Sequence, residues 1–183
     1  MTLCPDLKPV VIEYENDWFT VNNRGGYLTH EPKGKQVAVL VIKNKHVLLV
    51  IVKRPVINDC TWELPAGGCY TNESPKQGAI REVCEEAGIT ITKEQLIALD
   101  SMSICPNRYV EAPYIYAAEV TEQQWSERQG FDSEITERQW FSYEQIQQML
   151  LANKIYVALP ALILAKLLLC PKQDVMYMAL KGK

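Results

Sequence analysis

Residues 81–89 read Arg-Glu-Val-Cys-Glu-Glu-Ala-Gly-Ile, with three carboxylates and a guanidinium in nine positions. On an α-helix, residues three and four apart are neighbours. Glu82 can therefore converge with Glu85 and Glu86 within one turn, and Arg81 can pair with Glu85. Clustered carboxylates repel one another, and a helix gains nothing from them alone. A divalent cation removes that repulsion, and hard oxygen ligands select magnesium or manganese. The ordinary alternative is a solvated acidic face. On a helical wheel Ile80, Val83, Cys84 and Ala87 form the apolar face, with the three glutamates predicted opposite it.

The surrounding residues favour the metal. Gly67 lies six residues before Glu73, and Glu73 lies eight before Arg81. Then come Glu82, apolar Val83, Glu85, Glu86, Gly88 and apolar Ile89. With average residue usage, a chance match to this whole pattern is well below about one in a million. The pattern from Gly67 to Ile89 is the signature box of the Nudix hydrolases, and by it the chain is identified as a member of that family.

That resemblance implies hydrolysis of a nucleoside diphosphate linked to a further group, with water attacking phosphorus and a divalent metal assisting. It makes Glu82 and Glu86 the principal metal ligands, Glu85 an additional or water-bridged one, and the carbonyl of Ala66 a further member of the shell. Arg81 is expected to position Glu85 or Glu73. Gly67 and Gly68 let the backbone bend close to the metal. Gly88 reads mainly as the helix C-cap. Glu73 reads either as a metal contact or as a first-turn helix residue.

Directly before the box, "WELPAGG" resembles the run found in ADP-ribose and ADP-sugar pyrophosphatases of this family. Glu63 and Gly67 of that run become substrate-binding candidates. In that subgroup an arginine ends the preceding strand and contacts the diphosphate; here it is Arg54. Val52 and Lys53 stand where a Gln-aromatic pair often precedes it. Pro106, seventeen residues past Ile89, is a weaker match to a subgroup proline. The loop "RQGFDSEI" resembles a mobile segment that supplies a catalytic glutamate, for which Glu134 is the candidate and Asp132 the second. The resemblance also implies a homodimer built on a small N-terminal sheet, with Trp18, Phe19 and Tyr27 available to stack a base or to fill an interface. Other Nudix substrates (a dinucleoside polyphosphate, a nucleoside triphosphate, a capped RNA) and a non-catalytic nucleotide sensor are the competing readings.

These residues need elements to hold them. "KPVVIEYE", "WFTVNNR" and "GGYLTHE" alternate apolar with polar residues and predict a small antiparallel sheet over residues 1–34, bounded by the "PKGK" turn. "QVAVLVI" and "HVLLVIVKR", parted by "KNK", predict a hairpin of central strands. A short strand is expected at Trp62–Leu64. Ser74, Pro75 and Gly88 mark the start and stop of the acidic helix. "EQLIALDSMSI", "APYIYAAEV" and "ITERQWFS" read as strands, and "TEQQWSERQGFDSE" as a polar loop. Ser142 and Gln145 form a capping-box pattern, and a last helix is expected over about residues 155–169. The fold class is α+β; the family resemblance specifies an α/β/α sandwich over residues 35–183.

The totals suit this. The 183 residues fit one domain with a small appendage, and 48% apolar residues suffice for a core. A net charge of −3 argues against a general DNA, RNA or membrane-surface binder. The six cysteines, at 4, 60, 69, 84, 105 and 170, contain no C-x-x-C pair, so a zinc site is not expected. Scattered single cysteines predict a reducing, cytoplasmic setting. Cys84 is expected in the buried helix face. The apolar run around Lys166 is too short to cross a bilayer and reads as a buried helix.

Overall fold

A computed structural model of the chain describes residue 8 and residues 10–171 and 174–180. Cys4 lies outside the described residues. The N-terminal part is a three-stranded antiparallel sheet of β1 (Val11–Glu15), β2 (Phe19–Arg24) and β3 (Tyr27–Pro32). The rest is built on a seven-stranded mixed sheet. Its strands are β4 (Gln36–Lys43), β5 (His46–Arg54), β6 (Asp59–Glu63), β7 (Ala66–Gly68), β8 (Leu96–Leu99), β9 (Tyr114–Glu119) and β10 (Ile135–Ser142). The order is β10-β5-β4-β9-β8, with β6 on β5 and β7 on β4. Among the described residues only β4 and β9 pair in parallel.

The β4–β5 hairpin closes through Asn44 and Lys45, both at positive φ (47° and 60°), as a two-residue turn that matches the twist of the flanking strands requires. The two strands pair only near this turn, at Ile42 with Val47 and Lys43 with His46. Beyond it they splay, and β6 and β7 fill the gap, one on each side. The splayed end is where the acidic helix crosses.

Among the described residues the helices are α1 (Pro75–Ala87), α2 (Glu122–Ser126), α3 (Tyr143–Leu151), α4 (Ala158–Leu169) and α5 (Val175–Leu180). Strand alternation sorts β4 between two cores. Ala38, Leu40 and Ile42 face Ile163, Leu164 and Leu167 of α4, while Val37, Val39 and Val41 face Ala79, Val83 and Ala87 of α1. The result is helices on both faces of one sheet, the sandwich the resemblance implied. Leu164 is fully buried. Leu164→Ala is expected to cost about 2–5 kcal/mol of stability, which urea unfolding checks; a loss under about 1 kcal/mol would refute its place in the core.

Several local expectations need correction. The polar stretch from Thr121 contains α2, started by a capping box between Thr121 and Gln124. The strand expected from Glu94 to Ile104 is only Leu96–Leu99, because a 3-10 turn at Lys93–Gln95 precedes it. α4 starts at Ala158, not near 155, and α5 was not foreseen. Cys84 and Ile80 are only half-buried; the buried stripe of α1 is Ala79, Val83 and Ala87, and it also takes in Glu82 and Glu86. Those two carboxylates therefore lie beside the apolar stripe, not opposite it. Close packing on the sheet selects small Gly78 and Ala79 over bulkier Ile80 and Cys84. Among the described residues, no helix is long and apolar enough to cross a membrane.

Candidate active site

α1 begins with Ser74 capping Gln77 in a capping box and ends on Gly88 in the left-handed conformation, φ 68°. These stops fix which turn carries the glutamates. Arg81 sits at the centre of the cluster. Its Nη1 donates to Glu82 Oε1 at 2.9 Å and to Glu85 Oε2 at 2.6 Å. Its Nε donates to Glu73 Oε1 at 3.1 Å, and its Nη2 donates to Glu73 Oε2 at 3.0 Å and to the Gly68 carbonyl at 2.7 Å. The guanidinium also lies 4.2 Å over the Tyr70 ring. Arg81 thus ties helix, β7 and the preceding turn together. Glu73 precedes the N-cap and so is not a first-turn residue; it also accepts the Tyr70 N–H at 3.0 Å.

Burial sets the electrostatics. It pushes Glu82 above the usual carboxylate range, opposed by the charge of Arg81. Burial acts more strongly on Glu86, which is pushed up to about 8. Glu86 takes one hydrogen bond, from the Ala66 N–H at 3.0 Å, and feels the like charges of Glu82 and Glu63. Burial raises the pKa of Glu73, but the bonds and charge of Arg81 and the Tyr70 N–H outweigh it and hold the carboxyl below its ordinary value. Burial opposes the charge on Arg81, but its bonds to Glu73 and Glu85 outweigh this and hold it firmly protonated.

Gly67 is the close approach beneath this cluster. A Cβ there would overlap both carboxylate oxygens of Glu82. Two buried carboxylates beside a backbone that only glycine permits are a donor set suited to a hard cation. Among the described residues no three acidic, His or Cys side chains already form a metal-holding cluster, because Glu85 and Glu82 are turned towards Arg81. Glu82, Glu86, Glu85 and the Ala66 backbone are the groups that would hold the ion. When bound, a divalent cation supplies Lewis-acid stabilisation of phosphate oxygens and a more acidic water.

Arg54 and Glu63 face the same side of the β5–β6 hairpin. Arg54 Nε and Nη2 donate to the two oxygens of Glu63 at 2.7 and 2.8 Å, and Thr61 Oγ1 donates to Glu63 Oε1 at 2.5 Å. Glu63 is buried and spoken for, so its carboxylate orients Arg54, whose side chain is still 44% exposed. Bonding to Glu63 raises the pKa of Arg54, and the charge of Glu134 contributes. Glu134 itself is exposed; its carbonyl accepts the Lys53 N–H at 3.0 Å, next to Arg54. Asp132 is tied by its backbone N–H to the Glu85 carbonyl at 2.9 Å. Pro106 is exposed and does not line the cavity described next, although Ile104 and Tyr109–Pro113 of its loop do.

A cavity of about 560 Å³ opens from Arg54, Glu63, Ala66 and Gly67. Trp18, Phe19 at the start of β2, Tyr109, and the start of α4 also line it. His30, also in the wall, stacks on Phe19 with ring centroids 4.3 Å apart and meets Tyr109 edge-on at 5.6 Å. Tyr27 is exposed outside it. Sequence reasoning missed His30 and Tyr109; no spacing joins them, since the contact is made where β3 meets the 104–113 loop through the His30 N–H and the Arg108 carbonyl.

A family model for the NUDIX domain matches residues 32–162. An 8-oxo-dGTP diphosphatase of Proteus vulgaris is 33% identical over 107 residues, 55% of this chain and 94% of that protein. The phosphatase NudJ of Escherichia coli K12 is 27% identical over 112 residues, 61% of this chain and 71% of its own. A crystal structure of an ADP compounds hydrolase superposes with a TM-score of 0.67 at 18% identity, covering 91% of this chain and 94% of that one. At that identity the likeness establishes the fold.

Proposed function

The chain belongs to the NUDIX family and is a Nudix pyrophosphatase acting on nucleotides, and from that premise we propose that its substrate is ADP-ribose or a related nucleoside diphosphate sugar. The reaction splits the diphosphate with water into a nucleoside monophosphate and a sugar phosphate. The observation that carries this reading is a cavity lined by both charged and aromatic residues. Arg54 and Gly67 line it, and so do Trp18, Phe19 and Tyr109. A volume of about 560 Å³ lies within the range of small-ligand sites. Aromatic walls suit a base, and an arginine fork suits a diphosphate.

The roles follow from position. Arg54, held by Glu63, binds and orients the diphosphate. Arg81 keeps Glu73, Glu82 and Glu85 in register. Glu82 and Glu86, with Glu85 and the Ala66 backbone, hold magnesium, with manganese as the substitute. Glu134, beside Arg54, takes the proton from the attacking water. Two buried carboxylates kept at a cost in stability disfavour a purely sensing module. The outer strand β1 is a sheet edge with Val11, Ile12 and Tyr14 exposed, which supports a homodimer through this sheet.

A nucleoside triphosphate reading has one point in its favour, the 33% identity to the 8-oxo-dGTP diphosphatase. The test is a magnesium-containing panel of ADP-ribose, other nucleoside diphosphate sugars, dinucleoside polyphosphates and nucleoside triphosphates, with products identified by chromatography. Nucleoside monophosphate from a diphosphate sugar is the expected product; turnover of triphosphates alone would refute the proposal. Arg54→Ala is expected to raise KM about tenfold, the loss of one charge-assisted contact. An unchanged KM would remove Arg54 from the binding site.

A further inference from the structure

The last turn of a helix leaves carbonyls with no partner inside the helix. In α1 the carbonyls of Glu85 and Ala87, and that of the Gly88 cap, are met by a distant segment. The Gln129 N–H donates to the Gly88 carbonyl at 2.8 Å, and the Asp132 N–H to the Glu85 carbonyl at 2.9 Å. Arg138 Nη1 donates to the Ala87 carbonyl at 2.5 Å. A Cβ on Gly88 would collide with the Gln129 carbonyl and with Arg138, so the left-handed glycine also makes room for this docking.

Arg138 stands on β10 opposite Val50. Among the described residues it forms no ion pair with a carboxylate. Its neighbours are instead the Ala87 carbonyl, the Phe131 ring at 5.0 Å and the Trp125 ring at 5.6 Å. A cation here meets the negative end of the helix dipole and two ring faces. The same loop is tied at its other end to β5, where Lys53 N–H meets the Glu134 carbonyl and Lys53 Nζ meets the Ser133 carbonyl at 3.3 Å. Residues 129–134 therefore bridge the helix that carries the acidic cluster and the strand that carries Arg54.

We propose that Arg138 is a positioning residue, which clamps the 129–134 loop onto the C-terminal end of α1 through Phe131 and Ala87 and so sets Glu134 beside Arg54. This rests on the reading of Glu134 as the group that accepts the proton from water. Among the described residues Arg138 bonds neither to Arg54 nor to the acidic side chains, so its effect passes through the loop.

The test begins with amide hydrogen exchange on the metal-free protein. In Arg138→Met, the amides of Gln129 and Asp132 are expected to exchange at least about tenfold faster, while the amides of β4 stay protected. Phe131→Ala changes a side chain on the surface and serves as the second variant should Arg138→Met fail to fold; the same two amides are expected to lose protection. Steady-state rates with ADP-ribose and magnesium follow. Arg138→Met is expected to lower kcat about tenfold or more with KM within about twofold, Arg138→Lys to recover part of it, and Arg138→Met to add nothing in a Glu134→Gln background. Wild-type protection at Gln129 and Asp132 in both variants overturns the clamp. Rate losses that simply multiply overturn the coupling to Glu134. A Glu134→Gln protein with full kcat overturns the role of Glu134 itself, which separates failure of the functional reading from failure of the clamp.

Discussion

Glu86→Gln is expected to destroy activity and, at alkaline pH, to make the metal-free protein more stable. The two effects have one cause. Glu86 is buried against Ala66 with no basic partner in hydrogen-bond contact, and burial pushes its carboxyl up to about 8. In the unfolded chain the group titrates near its ordinary value of 4.5. Between those two pH values the native state holds a proton that the unfolded state has released. Stability therefore falls as pH rises through this window, and the whole cost is present above about pH 8. At about 1.4 kcal/mol per unit of displacement, that cost is on the order of 5 kcal/mol. Glutamine has the same shape, can accept the same N–H and carries no charge, so the penalty disappears.

Thermal unfolding in a chelator checks this. Glu86→Gln is expected to match wild type near pH 4.5 and to exceed its Tm by about 5 °C or more at pH 9. Magnesium is expected to raise the wild-type Tm at pH 8, by binding only the folded state, and to leave the variant unmoved. Loss of a group that only supports a metal ligand typically costs about 10–100-fold, so loss of a ligand should cost at least about 100-fold in kcat. A Tm difference independent of pH would show that Glu86 is not charged at a cost in the native protein. A magnesium response retained in the variant would remove it from the ligand set.

Much of this site was legible because short-range rules govern it. Ser74, Pro75 and Gly88 bound α1 by capping chemistry that involves only neighbouring residues, and the structure places the helix between them. The same holds for the Asn44–Lys45 turn and the Ser142 capping box. α2 obeys the same rule at Thr121 and Gln124, but its surroundings are so polar that no apolar periodicity pointed to it. What could not be read were the consequences of packing. The depth of Glu82 and Glu86 depends on the β6–β7 segment lying across α1, which follows from the splay of β4 and β5. The pairing of Arg54 with Glu63 was within reach. In the β5–β6 hairpin Val50 opposes Glu63 and Arg54 opposes Asp59, so both side chains share one face. Arg138 was out of reach, since its partner at Ala87 is 51 residues away and is a backbone carbonyl that any sequence would offer.

Gly67 joins the legible pattern to the packing that was not. The expected result for Gly67→Ala is loss of stability together with loss of activity, and both should pass through Glu82. A methyl group at this position would overlap both oxygens and the carboxyl carbon of Glu82. The backbone of Gly67 is pinned by its pairing with Val37 of β4, whereas Glu82 is a side chain and can swing. The carboxylate would therefore be driven from its place beside Arg81 Nη1, at a cost of about 1–3 kcal/mol for an overpacked buried site. Displacement of a ligand by an ångström or so is expected to cost about 100-fold in rate. Glu82→Ala removes the obstruction. In that background Gly67→Ala should cost less than about 0.5 kcal/mol further in urea unfolding, a coupling that independent sites would not show. If Gly67→Ala destabilises the Glu82→Ala protein as much as it does wild type, the glycine serves its own backbone geometry. The close fit between the turn and the carboxylate would then play no part in holding the site together.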